Sequence, residues 1–445
     1  MTRTLLLAAA ALVAAPAAAA DRVLPFEPAI TRLDNGLTVV AIRTPAKGIV
    51  AYYSVVRTGA RDEVEPGRSG YAHFFEHMMF RGTPTTSPAA YNAALQALGA
   101  DANAYTTADY TAYYIVGPAR GLDTMVALEA DRFQHLQYDE ADFRTEAGAV
   151  LGEYNKAFSN PAMKLWETLA DLAFDVHTYG HTVIGYGDDV KAMPEGYAYA
   201  RQFFERHYTP DNTTVLVIGD VQPADVVAKV KAAYGSWRGA HTAPAVPAEP
   251  PQTSPRAQHV EWPSPTPPRL TIGWRVPGFR ADDRDAAAVR VLAELVAGET
   301  SPLYRSLVLE DKRAFTLEHG GEQLRRDPSL LEFELVLVPG ADPAPIGAAL
   351  QAALDAVARG EVDAQRLAAT RSHLKYARLM SLDTPGDVGG YLAAVVGLTG
   401  DVRDAERALQ ALSAVTAEDV ARVAKAYFGP AQRVTVSLAH AEAAQ

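Results

Sequence analysis

Residues 70–83 read Gly-Tyr-Ala-His-Phe-Phe-Glu-His-Met-Met-Phe-Arg-Gly-Thr, which spaces three functional side chains as His73-x-x-Glu76-His77. On a helix, His73 and His77 stand at i and i+4 on one face, and Glu76 lies one turn from His73. Two imidazoles and a carboxylate then converge. That set suits a zinc ion held by the two histidines, with the glutamate left free to take a proton from a water on the metal. Two histidines on a helix also suit a packed core whose polar atoms are hydrogen-bonded, and this segment alone leaves both readings open.

Working outward, Asn35-Gly36 between two short apolar runs predicts a hairpin that opens a sheet, with a second strand at Ile49 to Arg57. Gly59, Pro66 and Gly70 break that pattern before the motif helix, whose buried faces are expected to be Phe74, Phe75, Met78 and Met79. The next helix carries Ser87 at its cap, Pro88 at its first position and Gly99 past its end. Ala102 to Thr106 and Tyr110 to Val116 are rich in tyrosine and threonine and predict paired strands. Further helices are expected at Leu122 to His135, at Glu140 to Phe158 behind an Asp139 cap, and at Met163 to Val176. On the second of these, Glu146 and Glu153 stand two turns apart on one face. They either look into one pocket or form a solvated acidic stripe. His177 and His181 fall on a glycine-containing loop with no acidic residue in phase, and are not read as a second metal pair.

The composition bounds the answer. The 445 residues are 48% hydrophobic and 21% charged, enough for two or three globular domains. Arg3, the apolar run Leu5 to Ala15 and the small residues Ala18 to Ala20 predict a signal peptide over residues 1–20, cleaved after Ala20. No later stretch has the length of a membrane span. A net charge of −12 argues against nucleic acid as a partner. With no cysteine there is neither a disulfide nor a lipid-modified thiol, so the expected location is periplasmic or secreted.

Prolines crowd residues 240–268, which predicts an extended linker. Beyond it the order of elements repeats. Gly59 matches Gly278, Gly82 matches Gly298, and Tyr208-Thr-Pro210 matches Phe428-Gly-Pro430, at offsets of 216 to 220 residues. The expected fold is therefore α+β: two homologous α/β-sandwich domains, residues 21–239 and 269–445, each a mixed or antiparallel sheet with helices on one face. At the offset of 216, His73, Glu76 and His77 fall on Val289, Leu292 and Ala293, so the second copy keeps the helix without the metal residues.

His-x-x-Glu-His is the inverted zinc motif, and here the chain resembles the pitrilysin-type (inverzincin, M16) family of zinc metallopeptidases, in its short bacterial two-domain form. Leu33-Asp-Asn-Gly-Leu37, Phe80-Arg-Gly-Thr83, Asn103-Ala-Tyr-Thr106 with Thr111 and Tyr113, the Glu146 to Glu153 run and His181 to Gly185 carry the resemblance further. It implies that Glu153, 76 residues after His77, is the third ligand of one Zn²⁺ per chain, and that Glu146 supports the site from behind. It implies Glu76 as general base in hydrolysis of extended peptides, with Asn103, Ala104, Tyr105 and Thr106 as a substrate-pairing edge strand. It also implies a partner chain. The family often sets an arginine and a tyrosine from the second half against the substrate carbonyl, yet the predicted strand Leu330 to Val338 carries Glu332 and Glu334 instead. A homodimer, or a heterodimer with a related chain lacking the zinc motif, is the expected way to supply them. The alternative is a non-catalytic scaffold subunit of the same fold.

Overall fold

A computed structural model describes residues 22–321 and 325–441, so the expected signal segment lies outside the described residues. The first half builds a six-stranded sheet from β1 (Ala29–Arg32), β2 (Thr38–Arg43), β3 (Ile49–Val56), β4 (Asp101–Thr106), β5 (Thr111–Pro118) and β6 (Thr213–Gly219), in the order β1-β2-β6-β3-β5-β4. Only β2 and β6 run parallel; the remaining pairs are antiparallel. The hairpin at Asn35-Gly36 joins β1 to β2, with Gly36 at a φ of 95°.

Five helices of this half bear on the site: α1 (Tyr71–Met78), α2 (Pro88–Leu98), α3 (Leu122–His135), α4 (Glu140–Ala157) and α5 (Pro161–Ala173). Their ends follow capping chemistry. Ser87 accepts the Ala90 amide, and Asp139 accepts that of Asp142. The last of the five starts and stops earlier than its apolar residues alone suggest. Asn160 accepts the Ala162 amide and Pro161 takes the first position, while Phe174 turns extended.

The second half repeats the architecture. Strands β7 (Arg256–Trp262), β8 (Arg269–Val276), β9 (Ala314–His319), β10 (Ser329–Leu337) and β11 (Val434–His440) form a sheet in the order β7-β11-β8-β10-β9. This is the order β2-β6-β3-β5-β4 over again, including one parallel pair, β7 with β11. The two homologous domains thus share topology strand for strand. β7 lies inside the stretch expected to be linker. Prolines stop at Pro255 and resume at Pro263, leaving seven residues between them free to donate to a ladder, and the chain uses them as an edge strand.

Each sheet is covered on both faces, and the second cover comes from the other half. The helix Pro385–Thr399 lays Val388, Leu392, Val395 and Val396 on Val40, Ile42, Ala51, Leu216 and Ile218 of the first sheet. Reciprocally, α5 lays Leu165, Leu169 and Ala173 against Leu330, Val434, Val436 and Leu438 of the second. Helices on one face only, as expected from each half alone, would leave the other apolar face wet. The all-buried strand β6 explains why that does not happen.

Candidate metal centre

Helix α1 divides its faces by chemistry. Phe74, Phe75 and Met78 are fully buried in the first core; Phe75 stacks on Phe203 and Phe204, and Phe74 meets Phe143 edge-on. His73, Glu76 and His77 stay on the less buried side, toward α4 and the sheet edge. The packed-core reading of the histidines fails here, because the residues that fill the core are the aromatic ones beside them.

From α4, Glu153 reaches the same point. Its Oε2 lies 3.4 Å from His77 Nε2 and 3.7 Å from His73 Nε2. The three donor atoms fall within 4.8 Å of one another, the single such group of histidines and acidic residues among the described residues. Two ligands at about 2.05 Å from a tetrahedral ion stand about 3.3 Å apart, so the spacing fits one shared zinc. The tautomers agree. Glu146 Oε1 lies 2.8 Å from His77 Nδ1; a carboxylate only accepts, so Nδ1 carries the proton and Nε2 presents its lone pair to the centre. Burial, with His77 close by, lowers the His73 pKa to about 4 and keeps that ring a neutral ligand. Its Nδ1 is buried without a hydrogen-bond partner among the described residues.

Glu76 stands beside this group. Its Oε2 accepts the Thr106 hydroxyl at 2.6 Å, which ties the base to the end of β4. Burial raises its pKa, and the Thr106 bond and His77 oppose that rise. Glu153 is 46% exposed against 12% for His73, so the pocket opens to solvent on the side of the third acidic residue. An ion held by these three residues would keep one position for water or substrate, as a catalytic zinc requires.

Strand β4 is the open edge of the first sheet, paired only with β5. Ala102, Ala104 and Thr106 face the helix layer, whereas Tyr105 turns away to pack edge-on against Tyr110, with ring centroids 5.9 Å apart. Asn103 Oδ1 accepts the Ala104 amide at 2.9 Å. The four candidate substrate residues therefore divide: their backbone borders the site, but the Tyr105 side chain does not enter it.

Two contacts had no signal of their own in the sequence. Thr106 was legible as an edge-strand residue, not as the partner of Glu76. Arg81 meets Glu146 Oε2 with its guanidinium; the sequence marked it only as part of the Phe80-Arg-Gly-Thr83 motif and by its place at i+4 from His77, neither of which names Glu146 as its partner. His177 and His181 take no part in the metal group: His177 Nε2 lies 3.2 Å from Asp327 Oδ2, and His181 packs against Glu63.

The chain is similar to known proteins over most of its length. The family profile described as Insulinase (Peptidase family M16) matches residues 38–187, which hold all four metal-site residues. The chain belongs to peptidase family M16. A second profile, Peptidase M16 inactive domain, matches residues 197–374, including the helix Arg284–Ala297 where Val289, Leu292 and Ala293 are buried in the second core. The "Zinc protease PqqE" of Helicobacter pylori is 27% identical over 436 residues, 94% of each chain. The crystal structure of a protease from Helicobacter pylori superimposes with a TM-score of 0.85 at 26% identity, covering 93% of this chain and 99% of that one. A structure titled as a peptidase M16 inactive domain from Pseudomonas fluorescens has the same fold, with a TM-score of 0.82 at 15% identity over 94% of this chain and 99% of that one.

Proposed function

We propose that this M16 protein is a zinc-dependent endopeptidase or oligopeptidase acting on extended or unfolded peptides. The observation that carries the proposal is the convergence of His73 Nε2, His77 Nε2 and Glu153 Oε2, with Glu76 beside them on the same helix. His73, His77 and Glu153 would hold one zinc ion. When bound, zinc supplies Lewis acidity, which brings the pKa of a coordinated water to about 7 and polarises a peptide carbonyl.

The chain's own groups do the rest. Glu76, oriented by the Thr106 hydroxyl, accepts the proton of the attacking water and returns it to the leaving amine nitrogen. Glu146, gripped by Arg81, fixes the His77 tautomer. The free edge of β4 takes an extended peptide as an added strand, which reads backbone more than side chains. Residues 1–20 direct the chain to a periplasmic or extracellular compartment by the signal pattern of the sequence, and among the described residues no helix is long and apolar enough to cross a membrane.

β10 offers Glu332 and Glu334 and neither arginine nor tyrosine, so the wall facing the substrate carbonyl is proposed to come from a second chain. Peptide cleavage by the full chain, with and without a chelator and in Glu76→Gln, tests the reading. Activity that chelation abolishes, zinc restores and Glu76→Gln lacks is expected. Stoichiometric zinc with no cleavage, in the presence of any co-purifying chain, would leave the scaffold reading standing.

A further inference from the structure

The loop from His181 to Gly187 has no place in the chemistry above, yet it closes on the first turn of the metal-binding helix. The N-cap of α1 is Gly70, which has no side chain to satisfy the unpaired amides of the first turn. Glu63 does so instead: its Oε2 accepts the Gly70 amide at 2.7 Å, and its Oε1 accepts the Ala72 amide at 2.6 Å. A carboxylate there also meets the positive end of the helix. Ala72 is the residue directly before His73.

Behind Glu63 stands His181. The two side chains are 0% and 5% exposed, and His181 Nε2 lies 3.8 Å from Glu63 Oε2. His181 Nδ1 is 2.9 Å from the Thr182 carbonyl oxygen, so Nδ1 donates and the second nitrogen faces the carboxylate. That nitrogen is buried with no hydrogen-bond partner among the described residues. The backbone is fitted as closely. Gly70 and Gly185 both take positive φ, and a Cβ at Gly185 would stand 2.8 Å from the Gly70 nitrogen while one at Gly70 would stand 2.6 Å from the Ile184 carbonyl oxygen. Asp189 accepts both the Ser69 amide, at 3.1 Å, and the Ser69 hydroxyl, at 2.6 Å.

We propose that Glu63, with His181 packed behind it, acts as a positioning residue, fixing the first turn of α1 and so the placement of His73 against His77 and Glu153. The inference rests on the zinc reading above. Asp62 and Asp189 are the other charged groups bearing on Glu63; Asp189, Arg325 and His177 bear on His181. Burial pushes the Glu63 carboxyl upward, the Ala72 and Gly70 amides oppose that rise, and burial lowers the His181 imidazole below its own range.

The test is the zinc affinity of the full chain, by competition with a chelating indicator, together with kcat and KM on an unstructured peptide. Glu63→Ala is expected to weaken zinc binding about 10- to 100-fold, the range for groups that orient a metal ligand. At saturating zinc kcat falls and KM stays within about twofold, since β4 is untouched. Glu63→Gln, which keeps the shape and one acceptor, falls between, and His181→Ala weakens zinc binding in the same direction, about tenfold. A cap serving stability alone would lower the Tm of the metal-free chain and leave zinc affinity and kcat at wild-type values, and that result overturns the proposal. Should Glu63→Ala not fold, Glu63→Gln and His181→Ala decide it by the same zinc readout. A wild type that binds zinc without cleaving peptide removes the peptidase reading and leaves this one to the affinities. Variants with wild-type zinc affinity in an active enzyme remove this one alone.

Discussion

At the residue scale, the four side chains of the proposed zinc site differ in what their loss should do, because on that proposal Glu76 alone is left off the ion. Glu76→Gln keeps shape and the bond to Thr106 while removing the base, so zinc content should stay at the wild-type level while kcat falls by about 10²–10⁴. Metal analysis alongside steady-state kinetics checks this, and a Gln variant that also lost zinc would make Glu76 a ligand instead. Thr106→Val removes the hydroxyl that donates to Glu76 and little else. It should cost kcat about tenfold at unchanged zinc affinity, the order of one hydrogen bond to a charged group. Glu146→Gln should act on the metal rather than on the proton, since it loosens the His77 Nδ1 bond; zinc affinity is expected to drop about 10- to 100-fold. Equal zinc affinity in wild type and Glu146→Gln would dismiss that role.

At the element scale, α1 and the helix Arg284–Ala297 are the same piece of architecture with different solvent. On α1 the face bearing His73, Glu76 and His77 borders an open edge strand and Glu153 of α4; on the second helix Val289, Leu292 and Ala293 are fully buried. The corresponding stretch of the following long helix, residues 369–373, reads Ala-Thr-Arg-Ser-His and offers no carboxylate. Grafting Val289→His, Leu292→Glu and Ala293→His should therefore yield no second site. The chain should still bind one zinc and lose several kcal/mol of stability, as unpaired polar groups in a core do; a second bound equivalent of zinc would refute this account of the second half. The repeat itself was legible because glycines and strand ends recur at a nearly constant offset, and the metal residues because a 3.6-residue period brings His73 and His77 together. What sequence could not carry was anything set by contact across elements. Glu63, Arg81 and Thr106 sit in ordinary surroundings along the chain and acquire their partners only when α1, β4 and the loop before α1 meet. The β7 strand was hidden for a different reason: prolines on both sides mask seven residues whose pairing partner, β11, lies at the far end of the chain.

At the scale of the whole molecule, the exchange of covering helices makes the two halves one structure. Their polar seam holds Asp327, from the second half, between His177 and Arg61 of the first, at 3.2 Å and 2.5 Å. The bond from His177, then that from Arg61, holds the Asp327 carboxyl well below the usual range. A depressed pKa contributes stability above the unfolded value near about 3.9, and loses it as pH falls through the folded value. Asp327→Asn should thus lower Tm at pH 7 by the equivalent of about 1 kcal/mol, discounted for the partial exposure of the pair, and the deficit should shrink only below about pH 4. A deficit that vanished between pH 7 and pH 5 would place the titration elsewhere. The apolar part of the seam makes the stronger claim. Leu392, fully buried, belongs in sequence to the second half and packs on the first half's sheet, the one that carries the metal centre on its other face. Leu392→Ala opens a cavity there and should cost about 2–5 kcal/mol. Because removing that cover exposes the first sheet while α5 still leans on the second, neither half can unfold without stripping the other. Calorimetry of wild type and Leu392→Ala should accordingly give a single transition in each, shifted as a whole to lower temperature in the variant. Two transitions of which only one moved would mean that the halves are independent domains and that the metal centre owes its rigidity to the first half alone.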